Sequence, residues 1–197
     1  MAGVNAISSS TLERLTATSS ERIDFCEDGV LKGFISGGAD EIPSLKGDFI
    51  RNILIKAQPS SFGDLIQICG LLHGTNTWQE NAEFLIEKGM RASEMIAYRD
   101  DVFNYIQEKM ISKGLADPGL AYKIMEDTRR GIYASIGIPA ELKEQLKSIG
   151  AEDWFIDSIG KIKYLFPKAH GVIYAKSAAV LMWYKMHYPK EFGECMK

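Results

Sequence analysis

At 197 residues, 46% apolar and 25% charged, with a formal charge of −3, the chain has enough length for one ordinary domain or two small ones around a real core, and its composition excludes a disordered polymer. Three cysteines (Cys26, Cys69, Cys195), odd in number, far apart and outside any CxxC spacing, argue against a disulfide framework or a structural zinc site and for a reducing, cytoplasmic setting. The first ten residues lack the regions of a signal peptide, and Gly171 to Tyr184, the most apolar stretch, is too short for a bilayer and contains Lys176, so no membrane association is expected.

Residues 1–41 read as an irregular connecting segment, and residues 42–197 as a helical domain. Ser8-Ser9-Ser10-Thr11 caps a short helix through Leu15, and Thr18-Ser19-Ser20 offers a second start with Glu21 in its first turn. Gly29, Gly33 and Gly37-Gly38 then punctuate a stretch with an extended tendency near Val30 to Phe34. Phe49, Ile50, Ile53, Leu54 and Ala57 recur with helical spacing, and Gln58-Pro59 stops that helix. Phe62, Leu65, Ile66 and Cys69 form the next apolar face, which Gly70 ends. After a loop at His73-Gly74-Thr75-Asn76, helices are expected over Glu80 to Lys88, Ser93 to Tyr98, Asp100 to Lys113, Pro118 to Arg130, Pro139 to Ile149 and Glu152 to Tyr164. One long helix follows Phe166-Pro167, where a proline beside a helix start loses no hydrogen bond. The expected fold class is all-α, of irregularly packed helices rather than an up-and-down bundle.

No GxSxG, HExxH, Walker loop or GxGxxG is present. His73, His170 and His187 lack carboxylate or cysteine partners at ligand spacing. Asp100-Asp101 suits the positive end of a helix dipole better than a metal. Binding chemistry is better supplied. From Ser158 to Lys190 there is no Asp or Glu, but there are six lysines and two histidines. A helix start bearing Lys168 and His170 could seat phosphate through free N–H groups and the macrodipole, and a solvated basic face would look the same. His170, Tyr174, Ser177 and Leu181 share one helical stripe, placing an aromatic ring one turn beyond the charges. Lys123 and Arg129-Arg130 sit in the C-terminal half of their own helix, where the dipole accounts for them.

KIKYLFPKAHGVIY followed by KMHYP resembles the fingers region of the PolC-type DNA polymerase III alpha subunit, the C-family replicative polymerase. Collinear blocks support the resemblance from about Ile7 to Phe192: SSSTLERLTATSSERI, IPSLKGDFIRNIL, SFGDLIQICGLLHGTNTW, Arg99-Asp100-Asp101, LAYKIMEDTRRG and DWFIDSIGKIKY. It implies a helical domain that receives the incoming dNTP and closes against a palm. The palm, with its metal-binding aspartates and Mg2+, and the duplex-binding parts lie outside this chain, so none of its residues is expected to be catalytic or a metal ligand. By motif match, Lys168 and His170 face the triphosphate and Tyr174 the sugar or base, while Phe166, His73 and Thr75 flank the pocket. Arg99, Lys123, Arg129, Lys163 and Lys176 are further candidates for phosphate or template contacts. Where the family usually has a serine, three alanines and an arginine, this chain has Leu72, Gly171-Val172-Ile173 and Val180. The implied partners are a dNTP, primer-template DNA and the remaining polymerase domains, and self-association is expected where apolar surface is left uncovered. The alternative is a diverged, stand-alone, non-catalytic helical module that binds nucleotide, DNA or protein.

Overall fold

A computed structural model describes residues 8–195. Among them the fold is all-α, with twelve α-helices and no strand beyond two isolated bridges. In chain order the helices are α1 (Ser9–Thr16), α2 (Asp28–Ile35), α3 (Asp48–Ala57), α4 (Phe62–His73), α5 (Glu83–Glu87) and α6 (Arg99–Ser112). Then come α7 (Pro118–Arg129), α8 (Ile132–Ile136), α9 (Ala140–Ser148), α10 (Asp153–Lys161), α11 (Lys168–His187) and α12 (Pro189–Cys195). The described residues form two compact units: Ile66–Gly171, and the described residues before and after it, so the divisions fall inside α4 and α11.

The Ile66–Gly171 unit holds a continuous apolar core. Val102, Ile106 and Met110 of α6 pack with Ala121, Ile124 and Met125 of α7, Leu146 of α9, and Phe155, Ile156 and Ile159 of α10. Their spacing by three and four is the periodicity seen in the sequence, and each large side chain so buried contributes roughly 1.5–3 kcal/mol. Tyr105 stacks on Phe155 at 3.9 Å, with Trp154 edge-on to both. α7 starts where expected because the Asp117 carboxylate accepts the Leu120 N–H at 2.9 Å and Pro118 occupies the first turn.

In the other unit, Ser8 caps α1. The expected start at Thr18 to Ser20 gives turns instead: Ser20 donates to Glu13, and the Thr18 carbonyl accepts the Tyr184 hydroxyl at 2.6 Å. Val30 to Phe34 is helical rather than extended, with Val30, Leu31 and Phe34 buried. A Cβ on Gly29 or Gly33 would come within 2.8 Å of Met186 or Met182, so those glycines serve close packing against α11 rather than breaking α2.

Other differences have local causes. Residues 92–94 form a single 3-10 turn, and Met95 to Tyr98 run non-helical because a carboxylate described below takes the Ala97 and Tyr98 N–H groups. The helix expected from Glu80 begins at Glu83, after an irregular turn over Trp78–Ala82 with Glu80 at φ 56°. The short helices α8 and α12 are additions to the elements expected from the sequence. No helix among the described residues is long and apolar enough to cross a membrane.

Candidate functional site

Most of the sequence candidates in the Ile66–Gly171 unit are gathered by one strap, residues 162–167, between α10 and α11. On the strap, Ile162 and Leu165 are buried, while Lys163 and Tyr164 face solvent. The Lys163 N–H donates to the Thr75 carbonyl at 2.9 Å, and the Thr75 N–H donates to the Tyr164 carbonyl at 3.1 Å. These bonds fix the His73-Gly74-Thr75 loop against the strap. Leu165 N–H donates to the Arg129 carbonyl at 3.3 Å, joining the end of α7. The Arg99 N–H donates to the Phe166 carbonyl at 3.1 Å, joining the start of α6. The Tyr164 and Phe166 rings meet edge to face at 4.7 Å. Three segments remote in sequence are therefore tied, one after another, along the strap that leads into Lys168.

Asp100 and Asp101, read from the sequence only as the first turn of α6, also hold the head of α11. Asp100 Oδ2 accepts the Lys168 N–H at 2.8 Å and lies 4.0 Å from Arg99 Nε. Asp101 Oδ2 accepts N–H groups of Ala97 at 3.0 Å, Tyr98 at 2.9 Å and Gln67 at 2.6 Å. The bond to Tyr98 is the backward half of a capping box. Asp101 Oδ1 receives the Lys168 ammonium at 3.0 Å. The His170 N–H is also taken, by the Pro167 carbonyl at 3.1 Å. Two of the first N–H groups of α11 are thus engaged within the chain, so an anion here would be met mainly by side chains. The Lys168 ammonium, with its side chain 43% exposed, and the exposed His170 are those side chains.

A slot for Tyr98 sets the position of that head. A Cβ on Gly70 of α4 would lie 2.5 Å from Tyr98 Cζ, and one on Gly171 of α11 would collide with the same ring, so the tyrosine lies against two residues that have no side chain. Gly70, expected to end α4, lies inside it, and the helix continues to His73. The Tyr98 hydroxyl donates to the Ile66 carbonyl. Burial is the main reason its pKa is raised, and burial also pushes the Cys69 thiol up to about 12. Gly171, where the resemblance leads one to expect alanine, is the residue this tyrosine requires.

The remaining candidates are placed as follows. His73 and Thr75 are exposed, and partial desolvation lowers the His73 pKa, favouring the neutral ring at pH 7. Arg129 is committed to Glu126, at 2.5 and 2.9 Å, with Arg130 3.1 Å from the same carboxylate. Lys123 lies away from the strap, in a cavity of about 270 Å³ between α7 and α9 that Asp127, Tyr133 and Glu141 also line. Tyr174 and Lys176 belong to the other unit; Tyr174 is exposed, and Lys176 Nζ sits 5.8 Å from the centre of the Phe25 ring. Val180 is buried, and Ile173 is 65% exposed. Sequence reasoning missed the action of Asp100, Asp101 and Tyr98 on α11. The Tyr98-to-Asp101 spacing signals the cap, but no local pattern signals a bond to a helix 67 residues away.

The bacterial DNA polymerase III alpha subunit finger domain family matches residues 5–136. The chain belongs to that family. It is 41% identical over 156 residues to the DNA polymerase III PolC-type of Thermotoga maritima, covering 79% of this chain and 11% of that protein. It is 41% identical over 148 residues to the PolC-type enzyme of Bacillus subtilis, covering 75% of this chain and 10% of the relative. The Ureaplasma parvum protein of the same name is 40% identical over 155 residues, again 79% of this chain and 10% of the relative. The chain therefore spans about a tenth of the length of the curated relatives it matches. The strap and the head of α11 lie beyond the residues that the family match covers.

Proposed function

We propose that this finger domain receives the triphosphate of an incoming dNTP during template-directed DNA synthesis. The observation that carries the reading is the half-exposed Lys168 ammonium beside the start of α6, at the end of the strap that carries Phe166 and, further back, holds the His73–Thr75 loop. Lys168 and the exposed His170 are the groups for the phosphate oxygens. Lysine acts there as a compact point charge on a flexible stem, able to follow the phosphate. Phe166 and the His73-Gly74-Thr75 loop form the flank. Arg99 borders the same place through Asp100, and Lys163 lies further back on the strap, whereas Arg129 is paired with Glu126 and Lys123 lies elsewhere. Tyr174 lies in the other unit, and the reading rests on residues of the Ile66–Gly171 unit.

Nucleotidyl transfer uses metal ions that clamp the attacking and leaving oxygens. Among the described residues no three His, Cys, Asp or Glu side chains converge as metal ligands would. No chemical step is assigned to this chain. Its contribution is charge stabilisation and positioning. Purified, the 197-residue chain is expected to bind dNTP weakly and in a salt-sensitive way, and to extend no primer. Lys168→Ala should weaken dNTP binding about tenfold or more, as loss of a charge-assisted hydrogen bond does. Unchanged affinity in that variant, measured by equilibrium dialysis, would reject the assignment of Lys168, and primer extension by the purified chain would reject the non-catalytic role.

A further inference from the structure

We propose that Asp101 is an internal counter-anion which Lys168 must leave in order to engage a phosphate, so that Asp101 sets the affinity of the triphosphate site. The inference rests on the reading of Lys168 given above. Its basis is a division of labour between the two oxygens of one carboxylate. Oδ2 takes three N–H donors, from Gln67, Ala97 and Tyr98, and these bonds hold Asp101 in place and cap α6. Oδ1 carries the contact to Lys168 Nζ at 3.0 Å. Asp101 is 14% exposed and pinned, whereas the Lys168 side chain is 43% exposed on a flexible stem. The cation is the partner free to move. The other charged groups at this helix head are Asp100, bonded to the Lys168 N–H, and Arg99 beside Asp100.

A phosphate that draws Lys168 away must therefore compete with Oδ1. A site whose cation is already engaged binds with an affinity lowered by the fraction of time that the cation is free. The three bonds to Oδ2 do not depend on Lys168, so releasing the lysine leaves the α6 cap in place.

Asp101→Asn separates the two roles. Its carbonyl oxygen can keep the three N–H donors of the cap, and its amide then faces Lys168 with hydrogens, which breaks the pair. Isothermal titration of the whole 197-residue chain with dATP, and separately with inorganic tripolyphosphate, should show binding about two- to fivefold tighter in Asp101→Asn, the range set by a partly exposed ion pair. In a Lys168→Ala background the same substitution should change nothing. Equal tightening with and without Lys168 would mean a general loss of negative charge, and would overturn the proposal. So would unchanged or weaker binding by an Asp101→Asn variant with wild-type helicity and melting temperature.

If Lys168→Ala alone leaves the wild-type affinity unchanged, the triphosphate reading falls, whereas a weakened Lys168→Ala with an unaffected Asp101→Asn removes only the role of Asp101. The unmodified chain offers an independent test. In a dATP-bound crystal structure, Lys168 Nζ beyond about 4 Å from Asp101 supports the exchange, and Lys168 bonded to phosphate and Asp101 together contradicts it.

Discussion

Arg129 at the end of α7 and Lys168 at the start of α11 are both cations met by carboxylates, yet the two arrangements differ in every respect that bears on function. Arg129 reaches Glu126 on its own helix with two hydrogen bonds, and Arg130 shares that carboxylate. The pair is local, forked and close to the helix C-terminus, where a cation also meets the dipole. Lys168 meets Asp101 across 67 residues with a single contact, on a carboxylate otherwise occupied by backbone and amide donors. A locally closed, part-buried pair is a stabilising feature of its own helix. A single contact to a half-exposed ammonium is one that a ligand can replace.

The strongest way to break this comparison is to move the head of α11. Gly171→Ala drives a methyl group into the Tyr98 ring and should destabilise the protein by about 1–3 kcal/mol or more, read as a lowered midpoint of chemical unfolding. In a Tyr98→Ala background most of that extra cost should vanish, because the two residues share one space. Asp100→Ala removes the acceptor of the Lys168 N–H and should cost about 1 kcal/mol in urea unfolding, with Asp100→Asn close to wild type.

The smallest effect belongs to the α7 pair. Glu126→Gln should cost no more than about 0.5–1 kcal/mol and leave dNTP affinity unaltered. Its pH dependence has a definite sign. The hydrogen bond from Arg129 holds the Glu126 carboxyl below its ordinary value of 4.5. Its contribution is therefore complete above that value and is lost as the pH falls through the lowered folded pKa. A wild-type minus Glu126→Gln stability difference that grew on acidification would contradict this.

Much of the fold was legible because the α6, α7, α9 and α10 stripes repeat at helical spacing and carry recognisable ends, such as Asp117-Pro118. The glycines were not legible. Gly29, Gly33 and Gly70 read as punctuation, yet each lies within a helix and gives room to a side chain from another element: Met186, Met182 and Tyr98. A sequence displays the absence of a side chain at such positions but not the neighbour that needs the space.

The candidate site was legible in part. Lys168 and His170 stood out through the surrounding run without acidic residues, and the His73 loop through its place in a collinear block. The acids that answer Lys168 come from a helix start 67 residues earlier, where Asp100-Asp101 already had a sufficient local explanation.

A dATP titration of the 197-residue chain, followed by backbone amide chemical shifts, tests the central claim most directly. Saturable shifts at Lys168 and His170, accompanied by Thr75 and Phe166, are the predicted result. Saturable shifts confined to Lys123, Tyr133 and Gln145 around the α7–α9 cavity, with the head of α11 unmoved, would contradict it.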